Sequence, residues 1–472
     1  MTKKLFIIAI LFLVVRGITS FAYKDTYYYY GMISNQFAIA DAAYRGHWFA
    51  VDTGRADAVS KANGASKDGP RFIPIEEWKN YPRSNTYVTF PAQDVPGFGY
   101  IISFTSKYLS HELTTRYAFV LQIMLELASL LIFIYCVYLI LGERVAFISG
   151  LLYVFAYPFI WPIASLPMRD IFVVSVYAFY IGAFFIFSRR SDALSYLLVF
   201  LLVALASLIL WVRPSAYYFF FVIVPFIFFL KEKSVQSRVI FALATILVPL
   251  IVYGHAFADF NLRYYGMADT DLLGRTLWEG MGIVKDNPYG FALDDGALVP
   301  WCKSRGYNVK MSSPEMNKVL GDYSRKIIRQ HPGFYVKTVL VRGMTIIKRP
   351  LEIFQPKMLG LTSYTESGLS LKDFIKRYPI DFAIKIFFDA VAGFIFFNVG
   401  LILAIIMIYR LKDSWVPLIV LLMPLPYTLM TQIPLHFEPR YLSTGAWVLV
   451  LPFAWYVNRF LEKRRKTNIC AA

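Results

Sequence analysis

The chain is poor in cysteine, and its three cysteines form no pattern with a known chemical use. Cys136 lies in an apolar run, Cys302 lies in a polar segment and Cys470 lies near the C-terminus. Without a C-x-x-C pair or an even set of spaced cysteines, the sequence predicts neither a zinc site nor a disulfide framework. A glycine-rich phosphate loop is also missing from the sequence, which disfavours nucleotide-sugar chemistry.

Charged residues are scarce as well, and the acidic ones are in the minority. Only 17% of the 472 residues are charged, whereas 57% are hydrophobic and 18% are aromatic. The mean hydropathy of +0.51 is too high for a soluble protein of this length. The net charge of +17 would suit nucleic acid, but no basic groove-reading motif is present. Because the basic residues flank apolar runs, membrane lipids rather than nucleic acid are the predicted partner.

Ten apolar runs approach the length of roughly 20 residues that a helix needs to cross a bilayer. They lie near 5–22, 117–141, 145–166, 171–188, 195–212, 215–230, 239–257, 382–409, 416–430 and 442–457. Basic residues such as Arg144, Arg189 and Arg410 mark alternate connections, on the same side as the basic C-terminal tail. The positive-inside rule assigns that side, and both termini, to the cytoplasm. The first run is either a retained helix or a cleaved signal peptide, and its length favours retention.

The predicted fold is an all-α polytopic membrane protein with about ten transmembrane helices and two large external loops carrying juxtamembrane helices. The boundaries are a first transmembrane helix at 1–22, an external loop with interfacial helices at 23–116, transmembrane helices 2–7 at 117–258, a second external loop at 259–381, transmembrane helices 8–10 at 382–457 and a basic cytoplasmic tail at 458–472. Connections longer than roughly 15 residues are usually functional or independently folded. Since both long loops lie on one face, the chemistry is predicted at the outer membrane boundary.

Three aspartates at this boundary are candidate catalytic groups. Asp25 follows the first run, where it would also serve as a helix cap. Asp41 lies within an alanine-rich stretch, where a surface role is less natural. Asp170 follows Arg169 in a short turn, and the two residues either pair with each other or face a functional cavity. A partly desolvated carboxylate is suited to act as a general base, because desolvation raises its pKa towards neutrality.

Basic residues at the same boundary are candidate phosphate ligands. Arg213 is the only charged residue in a tight hairpin, where it either snorkels to the membrane surface or clamps an anion. His436, Glu438 and Arg440 occur together in the last external turn. As a set they suit phosphate recognition, with Arg440 as the clamp and Glu438 orienting it.

Several of these motifs resemble the GT-C class of membrane glycosyltransferases, such as protein mannosyltransferases and aminoarabinose transferases. The resemblance is carried by Arg16 in the first run, Pro96-Gly97-Phe98-Gly99-Tyr100, Met168-Arg169-Asp170, the stretch 323–335 followed by Arg342, and His436-Phe437-Glu438-Pro439-Arg440-Tyr441-Leu442. The motifs are short, but together they cover most of the chain. The acidic pair that the family commonly carries after its first span is replaced here by two separate candidates, Asp25 and Asp41.

The resemblance implies transfer of a sugar from a polyprenyl-phosphate carrier to a lipid, glycan or protein acceptor, at the outer face of the cytoplasmic (inner) membrane. Asp25 or Asp41 would remove the proton of the acceptor, and Asp170 would orient the acceptor or bind a divalent cation, the one cofactor left open. The donor phosphate would be bound by Arg213, His436 and Arg440, with Arg169 and Glu438 in support.

Two other functions remain open from the sequence. A polysaccharide polymerase of the O-antigen type also has about ten spans, a large external loop and external arginines, but it needs no essential acid in the first loop. A non-enzymatic lipid or glycan transporter would place polar residues inside its spans. Gln122 and Glu126 do lie inside the second run, four residues apart on one helix face.

Overall fold

The computed structural model describes residues 1–23, 27–48, 50–64, 75–82, 87–89, 96–160, 168–255, 259, 273–309, 313–348, 350, 370–437 and 439–471. Most of these residues lie in helices. The α-helices are α1 Thr2–Tyr23, α2 Tyr27–Tyr44, α3 Thr53–Gly64, α4 Gly97–Thr105, α5 Arg116–Ile160, α6 Phe172–Arg189, α7 Ala193–Ile209, α8 Phe219–Ile227, α9 Val235–Pro249, α10 Leu273–Met281, α11 Leu298–Ser304, α12 Pro314–Gln330, α13 Pro332–Lys348, α14 Leu371–Arg377, α15 Pro379–Phe388, α16 Gly400–Arg410, α17 Trp415–Leu422, α18 Pro424–Gln432, α19 Pro439–Ala446 and α20 Val450–Ala471.

One small antiparallel ribbon accompanies the helices. Strand β1, Ala50–Asp52, pairs with strand β2, Tyr87–Thr89, so that Val51 faces Val88. Both strands lie in the first of the two long polar segments of the sequence. The predicted all-α class therefore holds for the helical bundle, with this local exception.

Several helices have the length and composition of membrane spans. Within the described residues four qualify, namely Arg116–Ala156, Arg169–Arg189, Val235–His255 and Gly393–Arg410. A fifth is obtained if Lys412–Leu422 and Pro424–Gln432, which are bent by 56° at their junction, count as one broken span. These helices indicate a membrane-embedded protein, in agreement with the composition. The number of ten crossings and the face occupied by each loop remain predictions.

Helix α5 consists of two helices joined at Gly142. A straight helix of 45 residues would measure about 68 Å, more than twice the hydrocarbon core of a bilayer. Gly142 interrupts it with φ 83° and ψ 173°, a conformation that glycine adopts readily because it lacks a Cβ atom. The Tyr153 hydroxyl donates a 2.7 Å hydrogen bond to Glu126 Oε1, so the two halves fold back on each other. The break lies between the apolar runs predicted at 117–141 and 145–166.

Helix α1 is held against α5 at both ends. Near its C-terminal end, the buried Arg16 forms an ion pair with the buried Glu126 of α5, which also accepts the Tyr153 hydrogen bond. At the other end, Glu143 lies 2.9 Å from the amino group of Met1. Glu126, a charged residue inside the second apolar run, therefore has partners on neighbouring helices of the bundle.

The second polar segment of the sequence has a small apolar core of its own. Residues of α10 to α12 and their connections build it, namely Trp278, Met281, Phe291, Leu298, Cys302, Met316, Leu320 and Ile327. Burial raises the pKa of the Cys302 thiol, as expected for a core cysteine. In its described part this segment therefore has a core that is separate from the main apolar core of the bundle.

Candidate functional site

A buried ion pair joins two of the predicted site residues. Asp170 is 2% exposed, and its Oδ1 atom lies 2.8 Å from Nε of Arg213. The guanidinium carbon of Arg213 lies 4.8 Å from the centre of the Tyr441 ring, close enough for a cation–π contact. We call Asp170, Arg213 and Tyr441 the Asp170 cluster. It joins three stretches that are distant in sequence: the turn before α6, the turn after α7, and α19.

Gln122 positions the turn that carries Asp170. Its side chain is 1% exposed, and its Oε1 atom accepts a 2.9 Å hydrogen bond from the backbone N–H of Met168. Met168 immediately precedes the 3₁₀ turn Arg169–Ile171, which leads into α6. Because a buried backbone N–H needs an acceptor, this bond fixes where the turn begins. Gln122 therefore has a positioning role beside the cluster.

The Pro-Gly-Phe-Gly motif at the start of α4 packs against the turn that carries Arg213. Gly97 N donates a 3.0 Å hydrogen bond to Trp211 O. Phe98 contacts Phe172 of α6, with ring centres 5.9 Å apart. Gly99 N donates to the side-chain oxygen of Gln36 on α2 at 3.0 Å. The motif thereby connects α2, α6 and the 211–213 turn.

Substitution of Gly97 by alanine is expected to displace the 211–213 turn. A Cβ atom at this position would lie 2.2 Å from Trp211 O, and a backbone atom cannot move away as a flexible side chain would. We expect a destabilisation of about 1–3 kcal/mol, the usual cost of overpacking, measured by thermal unfolding in detergent.

The matched control is Gly343→Ala in α13, where a Cβ atom would meet nothing within 4 Å. Alanine favours helix at such a site, so the control should unfold at or slightly above the wild-type temperature. Equal melting temperatures for Gly97→Ala and the wild type would contradict the close packing of this turn.

Arg342 of α13 fixes the turn that precedes α19. It is fully buried, and its guanidinium donates to the carbonyl oxygens of Leu435 at 2.6 Å and Pro434 at 2.9 Å. Tyr335, about two turns earlier in α13, donates a 3.0 Å hydrogen bond from its hydroxyl to Pro434 O. Burial lowers the pKa of Arg342 to about 10, so the side chain remains charged at neutral pH. The arginine thus holds the segment that leads to His436 and to α19.

Sequence reasoning gave Arg342 no role of its own. The available signal was a single arginine in the apolar stretch 339–344, which is equally typical of a snorkelling side chain. Its carbonyl partners lie more than ninety positions away along the chain. No local pattern in the sequence indicates such a contact.

Asp41 belongs to a separate charge network. Its Oδ1 atom lies 2.8 Å from Nη1 of Arg55, and its Oδ2 atom lies 2.5 Å from Nη2 of Arg45. Arg45 also reaches Asp52 at 3.3 Å, and Asp52 accepts a 3.1 Å hydrogen bond from the backbone N–H of Arg55. The network joins α2, β1 and α3, and it accounts for the burial of Asp41. Both carboxylate oxygens of Asp41 are engaged by arginines.

Of the remaining predicted site residues, some lie outside the described part of the chain and others lie near the Asp170 cluster. Asp25 and Glu438 lie outside the described residues, and Arg440 lies in α19 with its side chain outside the description. Arg169 is partly buried in the turn beside Asp170, and His436 is partly buried in the segment that Arg342 holds. Helix α19, which begins at Pro439, contacts the Arg169–Ile171 turn. The structure therefore brings Asp170, Arg213 and the helix of Arg440 together, with Asp41 in its own network.

Neither metal-binding side chains in the described residues nor comparison with known proteins identifies the reaction. In the described part of the chain no group of three His, Cys, Asp or Glu side chains is placed to hold a metal ion. A divalent cation at Asp170 stays a prediction from the resemblance. Comparison of the chain with models of known families, with curated proteins and with solved structures finds no match.

Proposed function

We propose that the protein is an integral-membrane glycosyltransferase that moves a sugar from a polyprenyl-phosphate carrier to an acceptor at the outer face of the cytoplasmic membrane. The proposal rests on the proximity of three motifs that resemble the GT-C class. They are the motifs at 96–100, 168–170 and 436–442. Gly97 contacts the turn of Arg213, Arg213 pairs with Asp170, and Tyr441 lies against Arg213. Their proximity supports the proposal, because residues that form one site must be neighbours in the fold.

The chemistry of the Asp170 cluster suits an anionic leaving group. Arginine binds phosphate oxygens through a planar fork, and a carboxylate beside it fixes the orientation of that fork. At the end of an apolar helical bundle the positive charge acts in a low dielectric, which strengthens stabilisation of a departing phosphate. In the proposal Arg213 binds the donor phosphate together with His436 and Arg440, and Asp170 is the positioning residue for Arg213.

The transfer step needs a base as well as a phosphate site. An acceptor oxygen forms a bond to the anomeric carbon of the sugar, and the bond from that carbon to the phosphate oxygen breaks with its electron pair. The polyprenyl phosphate leaves as an anion, and the acceptor proton passes to a carboxylate. Because Asp41 is engaged by Arg45 and Arg55, we assign the base to Asp25.

One observation favours the polymerase as the second candidate. Asp41, the candidate base of the first polar segment that lies within the described residues, is bound by two arginines, and a polymerase needs no essential acid there. The transport alternative rested on Gln122 and Glu126. Both have protein partners, which supplies a structural reason for polar residues at these positions.

The proposal is tested by sugar transfer from synthetic polyprenyl-phosphate donors to an acceptor extract in proteoliposomes. Asp25→Asn is expected to lower turnover by about 10²–10⁴-fold, the usual contribution of a general base, at an unchanged melting temperature. Asp41→Asn is expected to lower the melting temperature instead, because Arg45 and Arg55 lose their shared counter-charge.

Asp322→Asn is the matched control, since Asp322 is an exposed acid on α12 that pairs with the exposed Arg325. It should leave both turnover and melting temperature at wild-type values. If no monophosphate donor is turned over, and cells lacking the protein show altered glycan chain length, the polymerase replaces the transferase.

A further inference from the structure

Helix α13 exposes an apolar face and buries a face that contains an arginine, the opposite of a helix on the surface of a soluble protein. Its solvent-accessible stripe consists of large apolar side chains: Val336 is 54% exposed, Leu340 64%, Met344 52% and Ile347 49%. Its buried face contains Thr338, Arg342 and Ile346. Spacings of four, four and three residues place the exposed set on one side of the helix, and spacings of four place the buried set on the other.

A helix on the surface of a soluble protein buries its apolar side and exposes its polar side. Here the fully buried face carries an arginine, and the apolar residues point outward. A contiguous exposed apolar patch of this kind marks an interaction surface. The same arrangement is ordinary in lipid, where polar side chains turn towards protein and apolar side chains turn outward.

We propose that α13 is inserted in the membrane, with Val336, Leu340, Met344 and Ile347 in contact with lipid acyl chains. The occupant is indicated by continuity with a candidate span. Asn398, within the candidate span Gly393–Arg410, donates a 3.0 Å hydrogen bond to Ile347 O. That span exposes apolar side chains of its own, namely Phe394, Ile395, Ile402 and Ile405. The stripe of α13 therefore extends a surface that already has the character of a lipid-facing one.

The length of α13 and the lysines beside its apolar stripe indicate how deeply the helix enters the membrane. Its 17 residues correspond to about 25 Å, less than the roughly 30 Å of a hydrocarbon core, and in the proposal α13 enters the membrane without crossing it. Lys337 and Lys348 are exposed beside the stripe. Long basic side chains at such positions reach the lipid headgroups while their stems remain in the apolar layer.

In this placement, α13 links the lipid-facing surface to the Asp170 cluster through Arg342. The face of α13 opposite the stripe carries Arg342, which binds the carbonyl oxygens of Pro434 and Leu435. Those residues lead directly into α19, which carries Tyr441. A helix whose position is set by lipid thus holds the segment that places one member of the cluster.

The inference is independent of the proposed function and is tested with nitroxide labels in proteoliposomes. Labels are placed at Leu340→Cys and Met344→Cys, with Arg329→Cys on the exposed surface of α12 as the control. Cys136 and Cys302 are buried, so only Cys470 needs replacement by serine, and the protein without added cysteines gives the background. The measurement compares collision of each label with oxygen, which concentrates in lipid, and with a polar nickel chelate, which stays in water.

We expect oxygen to dominate at positions 340 and 344 and the nickel chelate to dominate at position 329. Dominance of the nickel chelate at 340 and 344 would mean that the stripe faces water, and it would overturn the proposal. Exclusion of both reagents at both positions would also overturn it. In that case the stripe is covered by protein, either by another part of this chain or by a second copy.

Discussion

Replacement of Glu126 by glutamine is expected to lower the free energy of unfolding by about 3–5 kcal/mol, the range observed when one partner of a buried ion pair is removed. Glu126 and Arg16 are each 1% exposed and form an ion pair between α5 and α1. Glutamine keeps an oxygen for the hydrogen bond from Tyr153, but it removes the negative charge that faces Arg16 inside the bundle. The measurement is thermal or chemical unfolding of the purified protein in detergent.

Two variants make this prediction specific to the buried pair. Glu143→Gln, at the start of the second half of α5, removes an acid that is 41% exposed and pairs with the Met1 amino group and Lys4. Screening by solvent limits its expected cost to about 0–1 kcal/mol. The double variant Arg16→Met/Glu126→Gln removes both charges and should recover much of the lost stability. A double variant no more stable than Glu126→Gln would show that packing, not charge, is the source of the loss.

The sequence was sufficient for features that depend on local composition. Apolar runs of membrane length predicted α6 at 171–188, which the structure has at Phe172–Arg189. The polar interruption around Arg144 predicted a connector, and the chain does reverse at Gly142. Each of these features follows from residues that are neighbours in the chain, so the pattern of hydropathy and charge reveals them.

The pairing of charges could not be read from the sequence. Asp170 is adjacent to Arg169 in the sequence, but nothing in the sequence indicated the ion pair that Asp170 forms with Arg213, which lies in a different turn. Asp41 resembled an isolated carboxylate, because one of its two arginines, Arg55, is supplied by the next helix. Such contacts depend on how helices pack, which the spacing of residues within one segment does not determine.

The sharpest test of the proposed site is Arg213→Lys. Under the proposed function this variant should lower kcat/KM for sugar transfer by about 10²–10³-fold, the loss typical when one group stabilising a developing charge is removed. Lysine keeps the positive charge but lacks the planar fork that meets both Asp170 and phosphate oxygens. Arg325→Lys, at an arginine that is 46% exposed on α12, is the matched control and should behave as the wild type.

Asp170→Asn then separates two roles for this acid. If Asp170 positions Arg213, removal of its charge lowers kcat/KM through the arginine, and the double variant Asp170→Asn/Arg213→Lys is hardly worse than Arg213→Lys alone. Residues that act as a unit give such non-additive losses. The ascending limb of the pH–rate profile should survive in Asp170→Asn, because the base is another carboxylate. If the two losses instead multiply and that limb disappears, Asp170 is itself the base, and the 2.8 Å pair with Arg213 must open during the reaction.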